Sequence, residues 1–183
     1  MPDPVRLDAS SALPGVMSRP SNLFLDSPRA TAVCAKEFTR LSDDIIYKVS
    51  APADVDGAQY KPDVRQSPGR CIVQLGPVAL TVSWVHAQVD TVTNGRLMVI
   101  EWLGTVARGP VVLPERVAAV LGGKTAVIVR EDVYLAEGST EQTWRWRQEA
   151  EPRDGFECGD LAAHCAASLW AALARVMEPV AGA

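Results

Sequence analysis

Two apolar runs, Pro77 to Val89 and Arg96 to Ala107, stand on either side of Asn94-Gly95 and restrict the fold more than any other part of the chain. Asn-Gly between such runs marks a β-hairpin, because a two-residue type I′ turn needs positive φ at both central positions. Pairing Thr93 with Arg96 sets His86 opposite Leu103 and Trp84 opposite Thr105. One face then carries Val78, Leu80, Val82, Trp84, Leu97, Val99 and Leu103. The other carries Val85, Ala87, Val89, Met98, Ile100, Trp102 and Val106. An antiparallel sheet with one face in water alternates apolar and polar residues. Both faces are apolar here, so both need a cover, and one small chain has few helices to offer.

At 183 residues, 48% of them apolar, the chain has room for one domain with a real core. Its net charge of −4 is unevenly placed: acids and bases balance up to Arg70, and the excess gathers in Glu149, Glu151, Asp154, Glu157 and Asp160. No basic stripe is present, which argues against nucleic acid. Met1 to Pro20 mixes charges with prolines and serines and shows no apolar core of a secretory signal. The best candidate for a membrane span, the fourteen uncharged residues Leu161 to Ala174, would be about 21 Å long as a helix and too short. A cytoplasmic protein is expected. The cysteines Cys34, Cys71, Cys158 and Cys165 have no paired spacing and read as buried thiols.

Residues 1–26 read as a flexible tail and 27–183 as a single α+β domain. Ser27 and Pro28 open a helix as N-cap and first helical residue, and Cys34, Phe38, Leu41, Ile45 and Val49 form its apolar stripe. Residues 50–70, broken by Pro52, Gly57, Pro62, Pro68 and Gly69, read as a long loop. Cys71 to Leu75 is a short strand before the hairpin, and Leu113 to Leu121 a brief helix that stops at Gly122-Gly123. A second hairpin follows, Thr125 to Leu135 and Glu141 to Arg147. A three-residue loop there would set Glu131 against Arg145 and Arg130 against Trp146. A final helix from Asp160 to Glu178 carries Leu161, Cys165, Leu169, Leu173 and Val176 on one stripe, extended by Trp170 and Met177. Its alanines would let another helix approach closely.

Few residues suggest chemistry. His86 has Glu101 as a diagonal neighbour in the hairpin register, a pair that could transfer protons in an acid–base enzyme or line a small-molecule pocket between sheet and helix. His164 would point about 100° away from the face shared by Cys158 and Cys165, and no fourth ligand is signalled, so no metal or cofactor is assigned. Gly122-Gly123-Lys124-Thr125 lacks the upstream glycine of a phosphate loop and leads into a strand. In Trp144-Arg145-Trp146-Arg147, strand alternation puts the tryptophans on one face and the arginines on the other.

The order helix, three strands, short helix, two strands, helix covers residues 28–178. In that order, in size and in acidity the chain resembles the small type III secretion chaperones that serve individual effectors. The resemblance implies a homodimer that holds an unfolded segment of a client protein; it carries over no residue. The expected fold is therefore α+β: about five antiparallel strands flanked by long N- and C-terminal helices, in the order α-β-β-β-α-β-β-α, behind a disordered tail. The expected function is a non-enzymatic, chaperone- or adaptor-like protein-binding module, a homodimer that also meets another polypeptide. Its binding residues would be Val85, Met98, Ile100, Trp102 and Trp170. A pocket using His86 and Glu101 is the alternative.

Overall fold

Ser27 accepts a hydrogen bond from the Ala30 amide, and Pro28 follows it where no amide proton is needed, so helix α1 (Pro28–Ser50) starts where its local chemistry directs. Cys34, Phe38, Leu41, Ile45 and Val49 are all buried along one stripe. The computed structural model describes residues 22–51, 60–86, 91–107, 115–151 and 155–178. Six strands follow α1 in an antiparallel meander with spatial order equal to chain order: β1 (Asp63–Ser67), β2 (Arg70–Leu75), β3 (Val78–Val85), β4 (Arg96–Gly104), β5 (Ala126–Glu137) and β6 (Arg145–Gln148). Helix α2 (Glu115–Leu121) lies between β4 and β5, and α3 (Cys158–Met177) ends the described fold. The class is α+β as expected, with six strands in place of five.

The added strand is β1, inside the segment read as a long loop. Its only apolar residue is Val64, so it has no core pattern of its own; pairing with β2 through the Pro68-Gly69 turn, with Gly69 at φ 70°, holds it on the sheet edge. The N-terminal boundary also moves. Residues 1–21 lie outside the described residues, but Leu25 is buried in the core, Phe24 packs on it, and Asn22 Nδ2 donates to the Gly138 carbonyl at 2.9 Å. A chain beginning at Ser27 is expected to melt several degrees below one beginning at Asn22, since an apolar anchor and about 1 kcal/mol or more of burial are lost. Equal melting temperatures would show that Leu25 adds nothing.

Helices α1 and α3 pack on each other and on one face of the sheet, the inner face. Leu161, Leu169 and Leu173 are buried there, and so are Ala162, Ala166 and Ala172. From the sheet come Cys71, Val73 and Leu75 of β2, Leu80 and Val82 of β3, and Leu97 and Val99 of β4. Their neighbours in sequence point to the opposite, outer face.

The β3–β4 register differs from the hairpin expectation. Trp84 pairs with Leu97 and Val78 with Leu103, eight positions from the expected pairing. The connection is a loop with a 3-10 turn at Val92–Asn94, and Gly95 has φ −79°, so no type I′ turn forms. Glycine is required at 95 for another reason: a Cβ there would overlap the Trp84 indole. Eight is an even number, so every residue keeps its expected face. Ala87 and Val89 lie outside the described residues. In the second hairpin the pairing is Glu137 with Arg145 and Ala136 with Trp146, six positions from the expected register, because the connection runs through a capped 3-10 turn at Glu141–Thr143. Glu131 therefore faces Ile100 of β4 and Arg130 faces Glu101, not Arg145 and Trp146.

Candidate functional site

The outer face is built by alternation along the four central strands. Ile72 of β2, Val85 of β3, Met98, Ile100 and Trp102 of β4, and Ile128 of β5 point away from α1 and α3. At one end this face is covered by the chain itself. Gln74 is buried there; its amide nitrogen donates to the Gly76, Val78 and Gly104 carbonyls, and its oxygen accepts from the Val106 and Ala107 amides. Val106 and Ala107 are thereby held at Gln74, whose cross-strand partner Ala79 is fully buried. Beyond that end the cover stops. Met98, Ile100 and Trp102 are half-buried, while Val85 and Ile128 are 44% and 51% exposed.

Of the five residues expected to bind a partner, four lie on this face. Trp170 does not: it sits on α3, half-buried against the core on the inner side of the sheet. An uncharged helix alone could not show which side the sheet would take. The Trp144-Arg145-Trp146-Arg147 alternation holds, with both tryptophans buried inward and the arginines paired to Glu157 and Glu137.

His86 and Glu101 are not brought together. Glu101 faces Leu80, and His86 follows the end of β3 six residues further on, about 20 Å away along the strand. Glu101 is buried at the inner face, where the Ser168 hydroxyl donates to its Oε1. Arg130 Nη1 lies 3.2 Å from Ser168 Oγ and 3.9 Å from Glu101 Oε1, and its Nε is 2.8 Å from Asp132. Arg130 follows Tyr134 and Asp132 inward by alternation along β5, opposite Glu101; the register slips just beyond this pair, between Glu101 and Trp102, where the extra residue Val129 puts Ile128 on the outer face. Sequence reasoning missed the cluster because it had not paired β4 with β5. His164 Nε2 meets Arg130 at 3.5 Å and its ring lies against Phe156. Ser168 thus donates to a carboxylate, and the group links α3 to β4 and β5.

His86 instead borders a cleft of about 720 Å³ between α1 and the β1–β2 turn. Cys34, Phe38, Trp84 and Val92 form its floor, with Asp43 and Gln66 at its mouth. The Trp84 ring stands edge-on to His86 at 5.7 Å and against Trp146 at 5.7 Å, which fixes it in place.

All four cysteines are buried free thiols, and burial pushes Cys34, Cys158 and Cys165 up to about 12 and Cys71 to about 11. The fold keeps these protons where the unfolded chain has released them, so stability is full below pH 9 and falls as the pH rises through the raised values. With reductant present the melting temperature is expected to drop steadily from pH 9 to pH 11, and an aromatic disulfide reagent to label the native thiols far more slowly than the unfolded ones. A flat profile with fast labelling would contradict this burial.

Among the described residues no three metal-ligating side chains come together, and no helix is long and apolar enough to cross a membrane. Compared with family models, with curated proteins and with solved structures, the chain finds no match.

Proposed function

We propose that the protein is a non-catalytic binding module whose working form is a homodimer, a second copy covering the outer sheet face. The observation that supports this reading is the apolar row of Met98, Ile100 and Trp102, left half-covered between the exposed Val85 and Ile128. Strands about 4.8 Å apart and roughly eight residues long make a six-stranded face on the order of 600 Å² in projection. A standard interface takes about 800 Å² of accessible surface from each partner, and a rough side-chain surface exceeds its own projection. Residues 105–107 cover one end of this face, and the rest is left for a second copy. Soluble monomers rarely leave contiguous apolar patches of more than a few hundred Å² bare. Such a dimer would present its helices to another polypeptide in the manner of an adaptor or chaperone.

A paramagnetic agent dissolved in the buffer tests which surface is covered. The Met98 and Ile100 methyl signals are expected to be shielded at high protein concentration and to broaden on dilution, whereas equal broadening at every concentration would contradict the reading. His86→Gln, off this face, is expected to leave self-association within a few-fold of the parent chain.

A further inference from the structure

The cleft between α1 and the β1–β2 turn has a chemistry that selects its ligand. Its floor is aromatic and apolar, lined by Phe38, Trp84, Cys34 and Val92. Phe38 is 4% exposed and belongs to the core, so the floor is rigid. Trp84 is held from two directions by His86 and Trp146, and the absence of a side chain at Gly95 leaves its indole room. A ligand ring would meet a surface already in place, which lowers the ordering cost of binding.

The mouth supplies one full charge. Among the described residues, Asp43 is the only acidic side chain lining the cleft, and no lysine or arginine lines it. Gln66 Nε2 donates to Asp43 Oδ1 at 3.1 Å, tying the carboxylate to the β1 strand across the opening. Thr31, Thr39 and Ser67 add hydroxyls around it. Among the described residues a carboxylate or phosphate would meet no lysine or arginine here, while an ammonium group would meet a carboxylate at the rim and an indole ring at the floor. The volume of about 720 Å³ lies within the range of small-molecule sites.

We propose that this cleft binds a small aromatic amine, its ring on Trp84 and Phe38 and its ammonium group at Asp43. The site lies on the helix side of the sheet, apart from the outer face, and stands or falls independently of dimer formation.

Ligand-observed NMR with tryptamine and with indole-3-acetate, which share a ring and differ in charge, tests the proposal. Tryptamine is expected to bind saturably with a Kd on the order of 1 mM or tighter, and indole-3-acetate to show no saturable binding. Asp43→Asn removes the charge at an exposed position and is expected to weaken tryptamine about tenfold. Ala35→Trp, at an exposed position on the wall, is expected to fill the cleft and abolish binding while the melting temperature stays that of the parent chain. Equal binding of the two probes, no saturation with tryptamine, or tryptamine binding unchanged in both variants would each overturn the assignment.

Discussion

Trp146→Ala is expected to cost about 3–5 kcal/mol of folding stability, the range for deleting a fully buried aromatic. Trp146 is completely buried and forms edge contacts with Trp144 at 5.5 Å and Trp84 at 5.7 Å. Each such pair adds about 0.5–1.5 kcal/mol beyond burial. Its backbone also exchanges two hydrogen bonds with Phe156, at 2.9 and 2.8 Å, which draws the segment entering α3 onto β6. The indole thus fills the meeting point of the sheet end, the β5–β6 loop and the start of α3. Against the 5–15 kcal/mol typical of a domain, a loss of about 4 kcal/mol removes a large part of the total. Urea denaturation measures it. A change below about 1 kcal/mol would mean that the site collapses around the missing ring.

Ile100→Lys is expected to leave the fold intact and to abolish the proposed dimer. Ile100 occupies the middle of the outer face and pairs across the strands with Glu131. A lysine there stands directly opposite a carboxylate, and such cross-strand pairs contribute about 0.2–1 kcal/mol in favour of the sheet. In the dimer the same charge would be buried against an apolar surface, where truncation of a central contact alone commonly costs about 2 kcal/mol and an uncompensated charge costs more. The self-association constant should fall by at least about thirtyfold, from roughly 2 kcal/mol at 1.4 kcal/mol per decade. The thermal midpoint of the monomeric variant should stay close to that of the diluted parent. An unchanged association constant would place the interface elsewhere.

Much of the fold was legible because it rests on local signals. Ser27 and Pro28 mark the start of α1 by their own chemistry, and the stripes through Phe38 and Leu41 in α1 and Leu161 and Leu169 in α3 follow the helical period. Face assignment in β3 and β4 survived a wrong register, since a slip of an even number of residues keeps each side chain on its side. The registers themselves were not legible. Asn94-Gly95 has the composition of a tight turn, yet Gly95 is there to clear Trp84, a contact made only after folding. In the second hairpin an ion pair worth a few tenths of a kcal/mol could not set the register against a loop with its own capped turn. β1 escaped notice because an edge strand with one inward apolar residue carries almost no pattern.

The candidate sites divide in the same way. Val85, Met98, Ile100 and Trp102 follow from alternation alone and share a face. The assembly of Glu101, Arg130 and Ser168 depends on the pairing of β4 with β5 and on α3 lying across them, and the cleft at Trp84 depends on where α1 meets the β1–β2 turn. Neither depends on a short-range pattern. Both depend on packing between elements distant in sequence.

Light scattering coupled to size exclusion, run on the intact chain over a series of micromolar concentrations, tests the covered outer face most directly. One chain has a mass of 19.7 kDa. The account predicts twice that mass at the upper concentrations and a decline toward one chain on dilution, with Ile100→Lys at the single-chain mass throughout. A parent chain that stays at 19.7 kDa across the whole series would contradict it.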